Sequence, residues 1–162
     1  MFVMKEKLLI HTVNEAYSFL PDQIICIEAD GNYCNFHLAN GNEYLVSFQL
    51  GQVETIIKDQ LSFSNHCFVR VGKSLIINMD ELLCVNITRH TLEMNNPLGE
   101  KMLFTASREA LKKLMKFLVE NRKNAIMRNI NISAIEPKTS GVLRGHRQQK
   151  MDDNDIRVIC DN

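Results

Sequence analysis

The chain lacks a net charge and a long apolar run, and each absence excludes a class of protein. Lys and Arg number 19 and Asp and Glu number 19, so the 162 residues give no sign of a strongly basic nucleic-acid binder. No apolar run reaches the roughly 18–20 residues that span a bilayer. Lys5, Glu6 and Lys7 interrupt the stretch where a secretory signal would be apolar. We therefore expect a soluble cytoplasmic protein with no membrane partner.

Closely spaced metal or catalytic motifs are also absent. The five cysteines are odd in number and include no C-x2-C pair, which favours free thiols in a reducing compartment over a zinc site. Glycine-rich phosphate loops, the G-x-S-x-G elbow and the H-E-x-x-H helix motif are not found. The sequence thus predicts neither an enzyme nor a bound metal or cofactor. A thiol sensor at Cys34 stays open, although its strand parity with Phe36 and Leu38 favours the core.

The zero net charge conceals an uneven distribution. Residues 1–62 hold 3 basic and 8 acidic side chains, and residues 63–121 hold 8 basic and 6 acidic. Residues 122–150 hold 7 basic and 1 acidic, whereas residues 151–162 hold 1 basic and 4 acidic. The total charge is therefore a poor guide to any local binding surface.

The apolar periodicity is mostly two, which predicts a mainly β protein built from small antiparallel sheets. Short apolar runs at 8–10, 24–27, 68–71 and 75–77 are typical of buried strands. Residues 32–48 alternate on both sides of Asn40-Gly41, and residues 89–105 alternate on both sides of 95–99. Both stretches predict hairpins.

Two helices and a tail complete the expected organisation. Leu50, Val53, Ile56 and Ile57 recur at helical spacing, and the apolar stripe of 111–118 predicts a helix that begins after Ser107 and ends near 121–123. Residues 125–135 allow a short helix or strand. The composition beyond residue 137 is typical of a flexible tail, so we divide the chain into a domain, 6–121, and a tail, 122–162.

Polar side chains concentrate in three connections of the predicted domain. They are Asp30 to Tyr33, Arg70 to Ser74, and Thr105 to Arg108. Arg, Lys, Asn and Ser are the side chains that reach phosphates and base edges, and a helix N-terminus such as 107–108 favours anions. Each segment alone also has an ordinary structural explanation, because glycine turns and paired arginines are common.

The order of these segments resembles the LytTR-type DNA-binding domain. The stretch 25–33 (ICIEADGNY) resembles the opening block of that family, 68–78 (FVRVGKSLIIN) its central block, and Ser107-Arg108 before an amphipathic helix its closing motif. The resemblance covers roughly 6–121. It implies an elongated, almost all-β fold and a bacterial transcription regulator that inserts loops into successive major grooves of a direct-repeat site.

The resemblance also implies which residues contact double-stranded DNA. Carried over by position, they are Asn32, Tyr33, Asn35, Arg70, Lys73, Ser74, Ser107 and Arg108. For Arg70, and for Asn78 in the same block, a scaffold role stays open. The chain departs from the family at Gly72, where His or another polar residue is frequent, and at Lys73, where Arg or Asn is frequent. Lys is geometrically less specific than Arg.

A second departure concerns regulation and partners. The family's common partner is an N-terminal receiver domain, and the few residues before the first strand leave no room for one. We therefore expect a stand-alone form whose input comes from a partner protein, from its abundance or from the tail, and that possibly binds DNA as a dimer. Arg144, His146, Arg147 and Lys150 in the tail could add phosphate contacts, although a solvated extension is the simpler interpretation. The alternative function is a protein-interaction module that has lost DNA binding.

Overall fold

The computed structural model describes residues 6–61, 66–131 and 155–159. Its strands are β1 Leu8–His11, β2 Ala16–Phe19, β3 Ile24–Asp30, β4 Tyr33–Leu38, β5 Glu43–Val46, β6 Phe68–Val71, β7 Leu75–Asn78, β8 Leu82–Asn86, β9 Thr91–Met94, β10 Met102–Thr105 and β11 Ile156–Val158. Its helices are α1 Leu50–Leu61 and α2 Arg108–Asn131, and 3-10 turns lie at Pro21–Gln23 and Met79–Glu81.

The described strands form three antiparallel sheets. The main sheet has the order β11-β6-β7-β3-β4-β5, a three-stranded sheet has the order β10-β9-β8, and β1 pairs with β2 alone. The four residues Ile24 to Ile27 are all fully buried, although an ordinary strand alternates between its two faces. Ile24 and Ile27 belong to one core and Ile25 and Cys26 to another, and a register shift between Ile24 and Cys26 explains how two consecutive residues share a core.

The main sheet lies between two hydrophobic cores. On one face, α1 and the β1–β2 hairpin pack through Val53, Ile57 and Leu8 against Phe36 and Ile76 of the sheet. The Gln60 side chain fixes that hairpin, since it accepts a hydrogen bond from Leu9 N at 2.8 Å and donates to Leu9 O at 2.7 Å. Both backbone hydrogen-bonding groups of Leu9 are thus satisfied by a side chain rather than by another strand.

The second core joins α2 and the three-stranded sheet to the opposite face. Leu92 and Phe104 of the small sheet meet Val71 and Leu75 of the main sheet, and Leu111 of α2 packs among them. Because α2 and the β6–β7 connection share this core, the start of α2 is held beside the turn at 72–74. Over the described residues, no helix is long and apolar enough to cross a membrane.

The structure confirms the predicted fold class and both hairpins, which are β4–β5 and β9–β10. It differs from the sequence predictions at the C-terminal side. Helix α2 continues to Asn131, beyond the expected end near 121–123. Residues 155–159, assigned to the flexible tail, include β11, which pairs with the edge of β6. A strand of three residues in a polar segment is too short for periodicity to detect.

Candidate nucleic-acid interface

The turn between β6 and β7 is shaped by the guanidinium group of Arg70. Arg70 Nε donates to Gly72 O at 3.2 Å and Arg70 Nη2 donates to Lys73 O at 3.1 Å. The remaining terminal nitrogen, Nη1, bonds to Glu54 Oε2 on α1 at 3.1 Å, and only 13% of the Arg70 side chain is exposed. Arg70 therefore fixes the carbonyl groups of the turn, and the Lys73 side chain is exposed.

Gly72 has a conformational reason to be glycine. Its φ is +62°, in the left-handed region that side chains disfavour, and an added Cβ would lie 3.6 Å from the Cβ of Ala110 on α2. Gly72, where His or another polar residue is frequent in the LytTR-type domain that the sequence resembles, thus lies in a turn that packs against α2.

The turn between β6 and β7, residues 72–74, is called the central turn. Together with the start of α2 it lines a cavity of about 260 Å³, which we call the turn–helix cavity. It is lined by Val71, Gly72, Lys73, Ser74, Ala106, Ser107 and Asp155. Two of the three polar connections singled out in the sequence therefore meet at one place. The structure brings Lys73, Ser74 and Ser107 together, and Arg108 follows Ser107 directly.

The start of α2 has the cap that its sequence predicts. Ser107 Oγ accepts a hydrogen bond from Ala110 N at 3.2 Å, and Ser107 O accepts one from Leu111 N at 3.0 Å. Arg108 is the first residue of the helix and is exposed. The first turn of a helix directs N–H groups and positive dipole charge outward, which favours a phosphate near Arg108.

The third polar connection lies at the same end of the main sheet. Ala29 N donates to Ser74 O at 2.8 Å, and Glu28 pairs with Leu75 across β3 and β7. Because β3 continues beyond this pair to Asp30, the β3–β4 turn extends past the central turn. Asn32 and Tyr33 are exposed there, and 46% of Tyr33 is accessible.

Asn35 lies in a different environment from Asn32 and Tyr33. It is half-buried on β4, and its Nδ2 donates to Glu43 Oε2 at 3.0 Å. His37, two residues on, lies between two carboxylates: Nε2 is 3.4 Å from Glu28 Oε1, and Nδ1 is 3.2 Å from Glu43 Oε1. In the structure the Asn35 amide is thus bonded to a carboxylate in an acidic surrounding, which weakens its attraction for a phosphate.

Asn78, the other family-motif residue with two possible roles, is a scaffold residue. It is 2% exposed. Its Nδ2 donates to Ile24 O at 3.0 Å, and its Oδ1 accepts from Asp80 N at 3.1 Å. Both ends of the amide are thus used to join β7, β3 and the following 3-10 turn.

Sequence reasoning missed an acidic residue inside the turn–helix cavity. Asp155, just before β11, lines the cavity, and its Oδ2 is 2.6 Å from Lys113 Nζ on α2. Its backbone carbonyl accepts a hydrogen bond from Gly72 N. The family motifs gave no signal for this contact, because Asp155 lies far outside them in sequence.

The β8–β9 turn is a second feature that sequence reasoning missed. His90 O accepts from Ala106 N at 3.1 Å, and His90 has a φ of +57°. The exposed Arg89 therefore lies in a turn that is bonded to the residue before Ser107. A positive φ is uncommon at residues other than glycine, so the sequence did not predict this turn conformation at His90.

The cysteine thiols give the sensor hypothesis little chemical support. Cys34 is fully buried, as its strand parity predicted, and burial raises the pKa of its thiol to about 11, although the Arg70 charge opposes this. Burial also raises the pKa of Cys26. Since the thiolate is the reactive form, neither thiol is activated. Among the described residues, no group of three or more His, Cys, Asp or Glu could hold a metal ion.

Comparison with known proteins identifies the family of the chain. A solved LytTr DNA-binding domain from Bacillus cereus is similar over 71% of this chain and 98% of its own length, with 16% identity and a TM-score of 0.49. A comparison with curated proteins gives no match. The family model described as the LytTr DNA-binding domain matches residues 14–119, which is more than half of the chain. The chain therefore belongs to the LytTr DNA-binding domain family, a family of DNA-binding transcription regulators.

Proposed function

We propose that this chain binds double-stranded DNA in a sequence-specific way through the end of the main sheet that carries the turn–helix cavity. The observation that supports this most directly is the meeting of Lys73, Ser74 and Ser107 around one cavity, with Arg108 next to it. Two cations and two hydroxyl groups at a helix start are suited to phosphate oxygens and base edges. We propose that the chain acts by binding and not by catalysis.

The proposed contacts divide into reading, supporting and positioning roles. Lys73 and Arg108 contact base edges or the adjoining phosphates, since each is exposed at the rim of the interface. Asn32 and Tyr33 supply a neighbouring contact from the β3–β4 turn. Arg70 acts through the turn that it holds, because its guanidinium donates to Gly72 O, Lys73 O and Glu54.

The proposed site is a pair of direct repeats in a promoter, with these loops inserted in the major groove and one copy of the chain on each repeat. A major groove about 12 Å wide admits an α-helix or a two-stranded β-ribbon, and β6 and β7 form such a ribbon. The binding unit is residues 6–121, within which the family match at 14–119 falls. The basic tail residues Arg144, His146, Arg147 and Lys150 lie outside the described residues.

Fluorescence anisotropy with labelled duplexes tests the proposal. A duplex selected from a random pool serves as the cognate site, and a scrambled duplex of equal length is its control. We expect Arg108→Ala to weaken cognate binding by about 1–3 kcal/mol and to affect the scrambled duplex much less. Arg122→Ala, an exposed substitution farther along α2, is the matched control. An equal loss on both duplexes would refute base reading by Arg108.

A protein-interaction module is the second candidate, and one observation favours it. The carboxylates of Asp155 in the cavity and of Glu43 beside Asn35 oppose the approach of a phosphate. The salt dependence of affinity separates the two functions, because each phosphate neutralised contributes about 0.9 to the slope of log affinity against log salt. If the full chain shows no salt-sensitive binding to any duplex, the interaction module is the better description.

A further inference from the structure

The C-terminal segment, residues 155–159, lies outside the family match at 14–119 and is docked on the main sheet. Ile156 pairs with Val71, Arg157 with Arg70 and Val158 with Val69. Ile159 N donates to Phe68 O at 2.8 Å. The flank of β6 is thus a strand-docking site, and in this chain a segment of the chain itself occupies it.

The docked segment meets the proposed DNA interface at Asp155. Its carboxylate lines the turn–helix cavity beside Lys73, Ser74 and Ser107. Its backbone carbonyl also accepts the N–H of Gly72, a donor in the central turn that a phosphate oxygen would otherwise attract. Docking therefore places a negative charge and a competing acceptor where DNA would have to approach.

The attachment of this segment is limited in extent. As the edge strand, β11 has a neighbour on one side, whereas β7 and β3 are each paired on both sides. Ile156 and Ile159 are buried, at 1% and 6% exposure, and reach opposite cores. The ion pairs are partly solvated: 28% of the Asp155 side chain and 45% of the Arg157 side chain are exposed. The burial of two isoleucines is opposed by the conformational entropy of five ordered residues, so we expect the net free energy of docking to be small.

We propose that residues 155–159 are an intramolecular ligand that competes with DNA, so that the docked segment lowers DNA affinity and its release raises it. The inference rests on the proposed function, because it assigns a regulatory input to the same interface. The docking site is the flank of β6, and its occupant is the chain's own C-terminal segment.

The first experiment measures DNA affinity of the full chain by anisotropy. Ile156→Ser combined with Ile159→Ser removes both apolar anchors. Leu9→Ser combined with Val13→Ser is the matched control, because these residues are 45% and 101% exposed. If the docked form holds nine tenths of the molecules, release lowers the apparent Kd about tenfold. The control pair should leave the Kd unchanged.

A second variant keeps the proposal testable if the double variant does not fold. Asp155→Asn keeps both isoleucines and the backbone carbonyl that Gly72 contacts, and it removes the carboxylate charge together with its ion pair to Lys113. We expect its Kd to fall about threefold at low salt and the gain to shrink as salt rises. Circular dichroism reports whether the double variant is folded, and Asp155→Asn decides the question if it is not.

Hydrogen exchange on the unaltered chain gives an independent measurement. The cognate duplex should accelerate exchange at the Ile159 amide, which β6 protects in the docked form. Unchanged or slower exchange there, together with an unchanged or higher Kd in both variants, would overturn the competition while wild-type binding remains. If neither the wild-type chain nor the released variants bind any duplex, the proposed function itself fails, and the inference falls with it.

Discussion

The β6–β7 turn and the β3–β4 turn lie at the same end of the main sheet but are built differently. Each contains a glycine with a φ of +62°, Gly72 and Gly31. The β6–β7 turn is held by two hydrogen bonds from Arg70, and a Cβ added at Gly72 would lie 3.6 Å from the Cβ of Ala110 on α2. An added Cβ at Gly31 meets no atom within 4 Å. The β6–β7 turn is therefore preorganised, and the β3–β4 turn is adaptable.

The largest expected effect comes from removing the support of the preorganised turn. Arg70→Ala takes away three hydrogen bonds from a side chain that is 13% exposed, so we expect the free energy of unfolding to fall by about 3 kcal/mol. Urea denaturation followed by circular dichroism measures the change. Arg157→Ala, which also removes a partner of Glu54 but from a side chain that is 45% exposed, should cost less than about 1 kcal/mol. Equal losses for the two variants would contradict a special role for Arg70.

The two glycines offer a matched test of rigidity. Gly72→Ala should lower the free energy of unfolding by about 1–2 kcal/mol, since the left-handed backbone at Gly72 is strained for alanine and Arg70 bonds to two carbonyl groups of the turn. Gly31→Ala carries the same local strain but should cost about half as much, because its turn can relax. Gly51→Ala in α1, where no atom lies within 4 Å of the added Cβ, should leave stability unchanged or raise it, because alanine favours the helical backbone. If Gly31→Ala costs as much as Gly72→Ala, the two turns do not differ in rigidity.

The smallest effects are expected at the adaptable turn. Asn32→Ala should weaken cognate DNA binding by about 1 kcal/mol or less, because an exposed side chain on a relaxed turn loses entropy on binding. Asn35→Ala should change the affinity still less, since its amide is already bonded to Glu43 Oε2 at 3.0 Å. Anisotropy on the cognate duplex measures both. A larger loss at Asn35 than at Asn32 would show that Asn35 contacts DNA.

Sequence reasoning predicted the local elements well, because their signals are local. The hairpins around Gly41 and around 95–99 and the cap at Ser107 follow from turn chemistry and alternation, and the structure contains all three. β2 and β11 escaped prediction. Each has four residues or fewer, and β11 is defined by its pairing with β6 rather than by any pattern of its own.

The candidate site was predictable only in part, because some of its contacts join residues that are far apart in sequence. The order of motifs named Lys73, Ser74 and Ser107, and the structure shows them around one cavity. The use of Arg70 as an internal support and the presence of Asp155 depend on contacts between α1, β6 and β11. Such contacts are a property of the packed fold, which periodicity does not encode.

The pairing of β11 with β6 also bears on the order in which the chain folds. Among the described strand pairs, it joins the residues that are farthest apart in sequence, as Ile156 with Val71. Contacts of high sequence separation form late, because the entropy of loop closure opposes them until the rest of the chain is in place. We therefore expect the folding chain to complete the central turn and the first turn of α2 before β11 arrives. Every folding event would then pass through a form of the protein in which the proposed DNA-binding end is finished and still open.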